Sequence, residues 1–270
     1  MPSAEMADVT VDTPIITSLQ DLTIIEAFDQ GASEPKYTTF YYLTPEDELF
    51  FGESTKKKRE ISLEEYGALL KRVGDEEVYP QVPADLELTI APAEWNDSNA
   101  FIKRPGLDCY ESMKESEYVP RSVLDETTIM EQLSKTPHPN IIKYYGCRVK
   151  RGRITALVLE LLDQTLTQFK SDGKLSSLDK EKFMDSLQSA VNHLHSLGLA
   201  HNDINPDNIM VKDGMPVLID FGSCARAGQR LQSLGTHGWY EELFFTSEFK
   251  HDTYSMGKLR EWLTDGTNYK

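Results

Sequence analysis

The stretch His201-Asn202-Asp203-Ile204-Asn205-Pro206-Asp207-Asn208-Ile209-Met210, followed by Leu218-Ile219-Asp220-Phe221-Gly222, decides the reading of this chain. Three of its side chains, the carboxylates Asp203 and Asp220 and the amide Asn208, can handle a proton and a metal ion in one short span. A carboxylate placed like Asp203 orients an attacking hydroxyl and accepts its proton. An amide and a second carboxylate, Asn208 and Asp220, suit a magnesium ion gathered on phosphate oxygens. These side chains at this spacing point to phosphoryl transfer.

Composition sets the bounds around that span. The chain has 270 residues, 39% of them hydrophobic, which is enough for a large core in one two-lobed domain or two small ones. No run approaches the ~18 apolar residues of a membrane-spanning helix, and the start MPSAEMADVTVD lacks an apolar signal core, so the expected address is intracellular, cytoplasmic with the nucleus left open. Cys109, Cys147 and Cys224 show neither paired nor metal-ligand spacing and are expected to be structural. The net charge of −16 is concentrated at the front: residues 1–100 carry 21 acidic and 7 basic side chains, the remainder 23 and 21. That acidity argues against nonspecific binding to nucleic acid or anionic membrane. The basic run Lys56-Lys57-Lys58-Arg59 reads as a solvated loop.

Three stretches emerge along the chain. Residues 1–35, polar and acidic apart from Ile24-Ile25 and its neighbours, are expected to form a mobile tail. Residues 36–83 form a small α+β extension. In it Thr39–Leu43 and Leu49–Phe51 make a hairpin about Thr44-Pro45-Glu46-Asp47, and Ser62-Leu63-Glu64-Glu65 is a capping box opening a helix with Leu63, Tyr66, Leu69 and Leu70 on one face. From about residue 84 comes the part that carries the chemistry. Within it, Phe183, Leu187, Ala190, Val191 and Leu194 recur at helical steps between Asp179 and Leu197, so a buried helix is expected just before the opening stretch.

The opening motifs resemble the protein-kinase catalytic loop H-R-D-x-x-x-x-N and the D-F-G motif, in spacing and residue type. The order of elements from residue 84 to about 263, two-thirds of the chain, is similar to that family's. Ala100-Phe101-Ile102-Lys103 resembles the kinase V-A-I-K strand, and the next helix, Ser122–Leu133, offers Glu126 as the partner of Lys103. His138-Pro139-Asn140-Ile141 matches the link from that helix to strands at Ile142–Cys147 and Ile154–Leu159. Glu160-Leu161-Leu162 resembles the hinge that meets the adenine edge. Asp252 in Asp252-Thr253-Tyr254-Ser255-Met256-Gly257 resembles the D-x-W-S-x-G helix, whose aspartate bonds the catalytic-loop backbone. The resemblance implies an α+β, two-lobed protein kinase-like fold, with its N-lobe at about 84–160 and a shortened C-lobe at about 161–270. ATP and Mg2+ are the implied cofactors, and a protein, as substrate or binding partner, is the implied partner. Asp203 is then the catalytic residue, Asn208 and Asp220 the metal ligands, and Lys103, Glu126, Glu160 and Leu161 the nucleotide-binding set. His201 is expected to pack on Phe221, and His193 and His195 to serve packing or solvent contact.

Departures from the family pattern are equally specific. No glycine stands between Gly74 and Lys103, so the G-x-G-x-x-G phosphate loop is missing or rebuilt. Phe101 takes the place of the alanine that leaves room for adenine. Asn205 replaces the catalytic-loop lysine, and Asn202 the arginine that binds an activation-loop phosphate. Gly235-Thr236-His237-Gly238-Trp239-Tyr240-Glu241-Glu242 matches G-T-x-G-Y-x-A-P-E only in part, with Glu241 or Glu242 as the terminal glutamate. After Asp252, 18 residues follow, enough for one helix at Tyr254–Leu263. The similarity is to an abbreviated, atypical kinase of the kind found in fungi. Three functions remain open: an atypical Ser/Thr protein kinase, a pseudokinase that binds nucleotide as a scaffold, and a small-molecule phosphotransferase similar to the aminoglycoside and choline kinases.

Overall fold

A computed structural model describes residues 14–29, 33–107, 110–114 and 116–265. The chain divides into two compact units, one of residues up to 79 together with 106–119, the other of residues 80–105 and 120 onward.

The first unit is an antiparallel sheet in the order β1-β2-β3-β4, formed by β1 (Leu22–Phe28), β2 (Pro35–Leu43), β3 (Leu49–Ser54) and β4 (Lys71–Arg72). Helix α1 (Leu63–Leu69) starts at Ser62, whose Oγ accepts the Glu65 N–H while Glu65 caps the Ser62 N–H, as the capping box predicts. Period-2 alternation on β2 sends Phe40 and Tyr42 to one face with Ile61, Tyr66 and Leu70. It sends Tyr41 and Leu43 to the other, where Val78 of α2 (Asp75–Val78), Tyr110 of α3 (Tyr110–Met113) and Val119 pack. Gly52 is required here, because a Cβ would stand 2.4 Å from the Phe40 ring, which lies edge-on to Tyr66 at 4.6 Å.

Two sequence expectations are corrected in this unit. Residues 22–28 are a paired strand rather than part of a tail: Leu22 and Ile24 alternate onto the Phe40 cluster, and burial on one face outweighs a polar flank. Residues 1–13 of the expected tail lie outside the described residues. The stretch 106–119 belongs to this unit, through Leu107, Tyr110 and Val119, although it follows the Lys103 strand in sequence.

The second unit opens with residues 80–99, which run without a regular strand beside the sheet β5-β7-β6, formed by β5 (Ala100–Lys103), β6 (Tyr144–Lys150) and β7 (Arg153–Glu160). Ile90 bridges Cys147 in parallel, and Trp95 stacks on Tyr145 at 4.1 Å. Arg151 (φ 51°) and Gly152 (φ 73°) give the β6–β7 hairpin the two left-handed residues that match strand twist. Helix α4 (Tyr118–Ser134) is longer at its start than the expected Ser122–Leu133.

After α5 (Leu166–Ser171), helix α6 (Lys180–Ser196) is capped by Asp179 and buries Phe183, Leu187, Ala190, Val191 and Leu194 as their spacing predicts, with Met184 added. It packs on β8 (Leu199–Ala200) and β10 (Met215–Leu218), which pair with β11 (Ala225–Arg226) and β9 (Ile209–Lys212) respectively. Helix α7 (Phe249–Asp265) closes the order and begins five residues before the expected Tyr254. A continuous core joins Met130, Leu187, Leu194, Phe221, Trp239 and Trp262, so the loop carrying Asp203 rests on a packed base. Among the described residues no helix is long and apolar enough to cross a membrane. Cys147 and Cys224 are buried and unpaired, while Cys109 lies outside the described residues.

Candidate active site

Alternation on β5 buries Ala100 and Ile102 and turns Phe101 and Lys103 to the opposite face. Lys103 Nζ donates to Glu126 Oε1 at 2.7 Å and to Asp220 Oδ1 at 2.9 Å. Burial alone would lower the Lys103 pKa, but the two carboxylates outweigh it and hold the ammonium above its ordinary range. Burial likewise works to raise Asp220, yet Lys103 and the Gly222 N–H bring its carboxyl below the usual aspartate value. Both groups are therefore charged at neutral pH.

Glu126 also accepts the Phe221 N–H at 3.2 Å, tying α4 to the segment that holds Asp220. Phe221 is buried against His201 at 5.1 Å. His201 Nε2 donates to the Ile219 carbonyl at 3.0 Å and its Nδ1 lies 3.3 Å from the Asp203 N, contacts that make the residue an anchor. Below it the Asp252 carboxylate, fully buried, accepts the His201 N–H at 2.9 Å and the Asn202 N–H at 2.8 Å. His195 adds a third bond to Asp252 at 2.9 Å and His193 bonds the Thr136 carbonyl, so the two histidines are specific tethers rather than packing or solvent groups.

The Asp203 carboxylate is held from three sides. Its Oδ2 accepts Asn208 Nδ2 at 2.9 Å, and its Oδ1 accepts the Thr236 N–H at 2.7 Å and Asn205 Nδ2 at 3.1 Å. Asn205 caps the turn Pro206–Asn208, its Oδ1 accepting the Asp207 and Asn208 N–H groups, as an Asn before a first-position proline favours. Where a catalytic-loop lysine would bring charge, this chain has a neutral clamp on Asp203 and the Thr236 hydroxyl. Gly235 permits the approach, since a Cβ there would stand 2.8 Å from the Asn202 carbonyl.

Asn202 occupies a left-handed backbone position (φ 64°) and donates to the Ala200 carbonyl, the Ser223 carbonyl and Ser247 Oγ, all within 3.0 Å. It ties the catalytic loop to the segment after Asp220 without a phosphate. Its Oδ1 is buried with no partner, a cost set against those three bonds.

The other sequence candidates sit at the edge of the site. The Glu160 side chain turns to Lys212 at 2.6 Å and its N–H donates to the Lys143 carbonyl at 3.0 Å, so neither is free for a nucleotide edge, and Leu161 is exposed. Phe101 is 50% exposed on the face it shares with Lys103. Glu241 and Glu242 are both exposed.

The donor set suits magnesium and nucleotide. Asp220 Oδ2 and Asn208 Oδ1 have no hydrogen-bond partner among the described residues, and both are hard oxygen donors. No three His, Cys, Asp or Glu side chains cluster as a cage among the described residues.

A family model for the protein kinase domain matches residues 107–257, more than half of the chain. The chain belongs to the protein kinase family. It is 34% identical over 122 residues to the serine/threonine-protein kinase/endoribonuclease IRE1 of Hypocrea jecorina, covering 38% of this chain and 10% of that protein. It is 33% identical over 117 residues to the human serine/threonine-protein kinase/endoribonuclease IRE2, covering 38% and 12%. It is also 30% identical over 138 residues to the serine/threonine-protein kinase PknG of Mycolicibacterium smegmatis, covering 49% and 18%. The chain thus spans less than a fifth of the length of these relatives.

Sequence reasoning missed three parts of this site: the Thr236 N–H on Asp203, Asn205 as a cap, and the tether from His195 to Asp252. The first two left a trace, in the Gly235-Thr236 pair and in Asn preceding Pro206. The third left none.

Proposed function

We propose that this chain is an atypical Ser/Thr protein kinase that transfers the γ-phosphoryl group of ATP to a protein hydroxyl. The observation that carries the proposal is the joint placement of Lys103, Glu126 and Asp220 in one ion-paired group, with Asp203 held by Asn208 and the Thr236 N–H. Lys103 places the phosphates, and Glu126 keeps Lys103 directed at them. Asp220 Oδ2 and Asn208 Oδ1 would hold magnesium, which when bound neutralises the phosphate charge and aligns the oxygens. Asp203, fixed by its three donors, orients the attacking hydroxyl and takes its proton as the new O–P bond to the γ-phosphorus forms and the bond from that phosphorus to the β,γ-bridging oxygen breaks, ADP leaving. The Glu160 carbonyl and the backbone of Leu161 and Leu162 would receive the adenine edge.

A second reading, the nucleotide-binding pseudokinase, is favoured by two observations. Among the described residues no strand lies between β4 and β5, where a phosphate-covering hairpin belongs, and the Phe101 ring stands on the Lys103 face. The test is calorimetric titration with Mg·ATP together with transfer of label from γ-labelled ATP to a protein mixture and to a panel of small alcohols. Labelled protein supports the kinase, binding without transfer supports the scaffold, and labelled alcohols alone overturn both. Asp220→Asn should weaken the magnesium-dependent part of binding, because an amide brings no charge to a hard cation.

A further inference from the structure

Glu131 of α4 is a carboxylate that the site does not use, and it is only 4% exposed. Burial of a charge is costly unless donors surround it. Here the donors are all neutral: the Thr89 N–H at 2.7 Å on Oε1, the Thr89 hydroxyl at 2.9 Å on Oε2, and the Tyr144 hydroxyl at 2.9 Å on Oε1. Burial pushes the Tyr144 phenol pKa up, which keeps that group a donor. Thr89 in turn is tied to the sheet, its carbonyl accepting the Cys147 N–H at 2.8 Å, and the next link is the Ala91 N–H on the Cys147 carbonyl at 3.0 Å. Residues 80–99 therefore form a strap that passes from the hairpin strand β6 to α4.

Glu131 follows Glu126 by five residues, which places the two carboxylates about 140° apart around the helix axis. One side of α4 is thus fixed to Lys103 and Phe221, and another to the strap. Rolling the helix far enough to withdraw Glu126 from Lys103 would break the Glu131 bonds together, in a buried place where water cannot replace them.

We propose that Thr89 and Glu131 are positioning residues that lock α4 with Glu126 on Lys103, so that the strap does for the helix what it cannot do for the phosphates. The lock is intrinsic to the fold and needs no ligand or phosphate. Its consequence for nucleotide binding rests on the kinase reading above, while its effect on the Lys103 pair does not.

The test uses the full chain with Thr89→Val, Thr89→Ser and Glu131→Gln, and Gln232→Ala as a control that removes an exposed tie to Asp125 on the same helix. The first readout is acylation of Lys103 by an amine-reactive reagent, measured by mass spectrometry relative to exposed lysines. The second is backbone hydrogen exchange over 122–133 relative to α6. Thr89→Val and Glu131→Gln should each raise Lys103 acylation and α4 exchange about tenfold, as loss of a buried bond to a charged group implies. Thr89→Ser, which keeps the hydroxyl, should return both to within about twofold of wild type, and Gln232→Ala should change neither. Mg·ATP affinity should fall in step with acylation. A lower unfolding midpoint with unchanged Lys103 acylation would overturn the proposal, because a merely structural bond would behave that way. If wild type binds no Mg·ATP, the kinase reading fails while acylation and exchange still decide the lock.

Discussion

Lys103→Met tests the ion-paired centre most sharply. The substitution keeps the stem and removes the ammonium, leaving Glu126, only 9% exposed, with the Phe221 N–H as its remaining bond. Removing one partner of a buried pair costs about 3–5 kcal/mol. The Asp220 arm adds less than the Glu126 arm, because that side chain is 48% exposed and solvent screens the pair. With one bond retained, the lower end, about 3 kcal/mol, is expected. All three tryptophans, Trp95, Trp239 and Trp262, lie in the unit that carries the site, so denaturant unfolding followed by their fluorescence reports on it. Glu126→Gln in the same chain should recover most of the loss, since it neutralises the stranded charge. The pH dependence has a definite sign. Asp220 is lowered by Lys103 in the folded state, so its contribution is present above the ordinary aspartate pKa of about 4 and is lost as the pH falls further; Lys103→Met should shrink that acid-side loss. The Lys103 contribution itself, from a raised pKa, holds through neutral pH and fades only above the free-lysine range. A variant within about 0.5 kcal/mol of wild type at pH 7, or a double variant no more stable than the single one, would refute this account of the centre.

Other substitutions read out separate features. Phe101→Ala should tighten Mg·ATP binding by up to about tenfold, by relieving the crowding a ring imposes beside Lys103; unchanged or weaker binding in calorimetry would show that the ring is a stacking surface instead. The Ser223 and Ser233 hydroxyls bond to each other, so alanine at both should leave transfer activity unchanged, whereas Asn202→Ala should destabilise by about 1–3 kcal/mol. Strong loss on the serine pair, restored by acidic residues, would show phosphate-dependent ordering. Burial pushes the Cys147 thiol up to about 11 and Cys224 higher than its ordinary value, so peptides containing either should escape alkylation in native protein at pH 8 and react in denaturant; modification of either in native protein would contradict their burial.

The candidate centre was legible because most of its residues lie close together in sequence. Asp203, Asn208 and Asp220 fall within eighteen positions of one another, and Glu126 as the partner of Lys103 followed from the resemblance of strand and helix to the kinase pattern. The long helix α6 was legible from apolar spacing alone. Strand β1 was not, because Ile24-Ile25 between Thr23 and Glu26 carries too little pattern, and its burial is supplied by Phe40 across the sheet. Nor was the strap: Thr89 and Glu131 stand 42 residues apart, and nothing in either neighbourhood marks them as partners. Membership of 106–119 in the first unit depends on packing by Leu107 and Tyr110, which read in sequence as an ordinary connection.

The most direct measurement compares wild type with Asp203→Asn for transfer of label from γ-labelled ATP to protein, alongside Mg·ATP affinity for both. The amide introduced by that substitution would keep the bond from the Thr236 N–H but lose the proton acceptor, so transfer should fall by about 10²–10⁴ while affinity stays nearly constant. Equal labelling by the two proteins would contradict the assignment of Asp203 as the catalytic base and, with it, the reading of this centre as a working kinase.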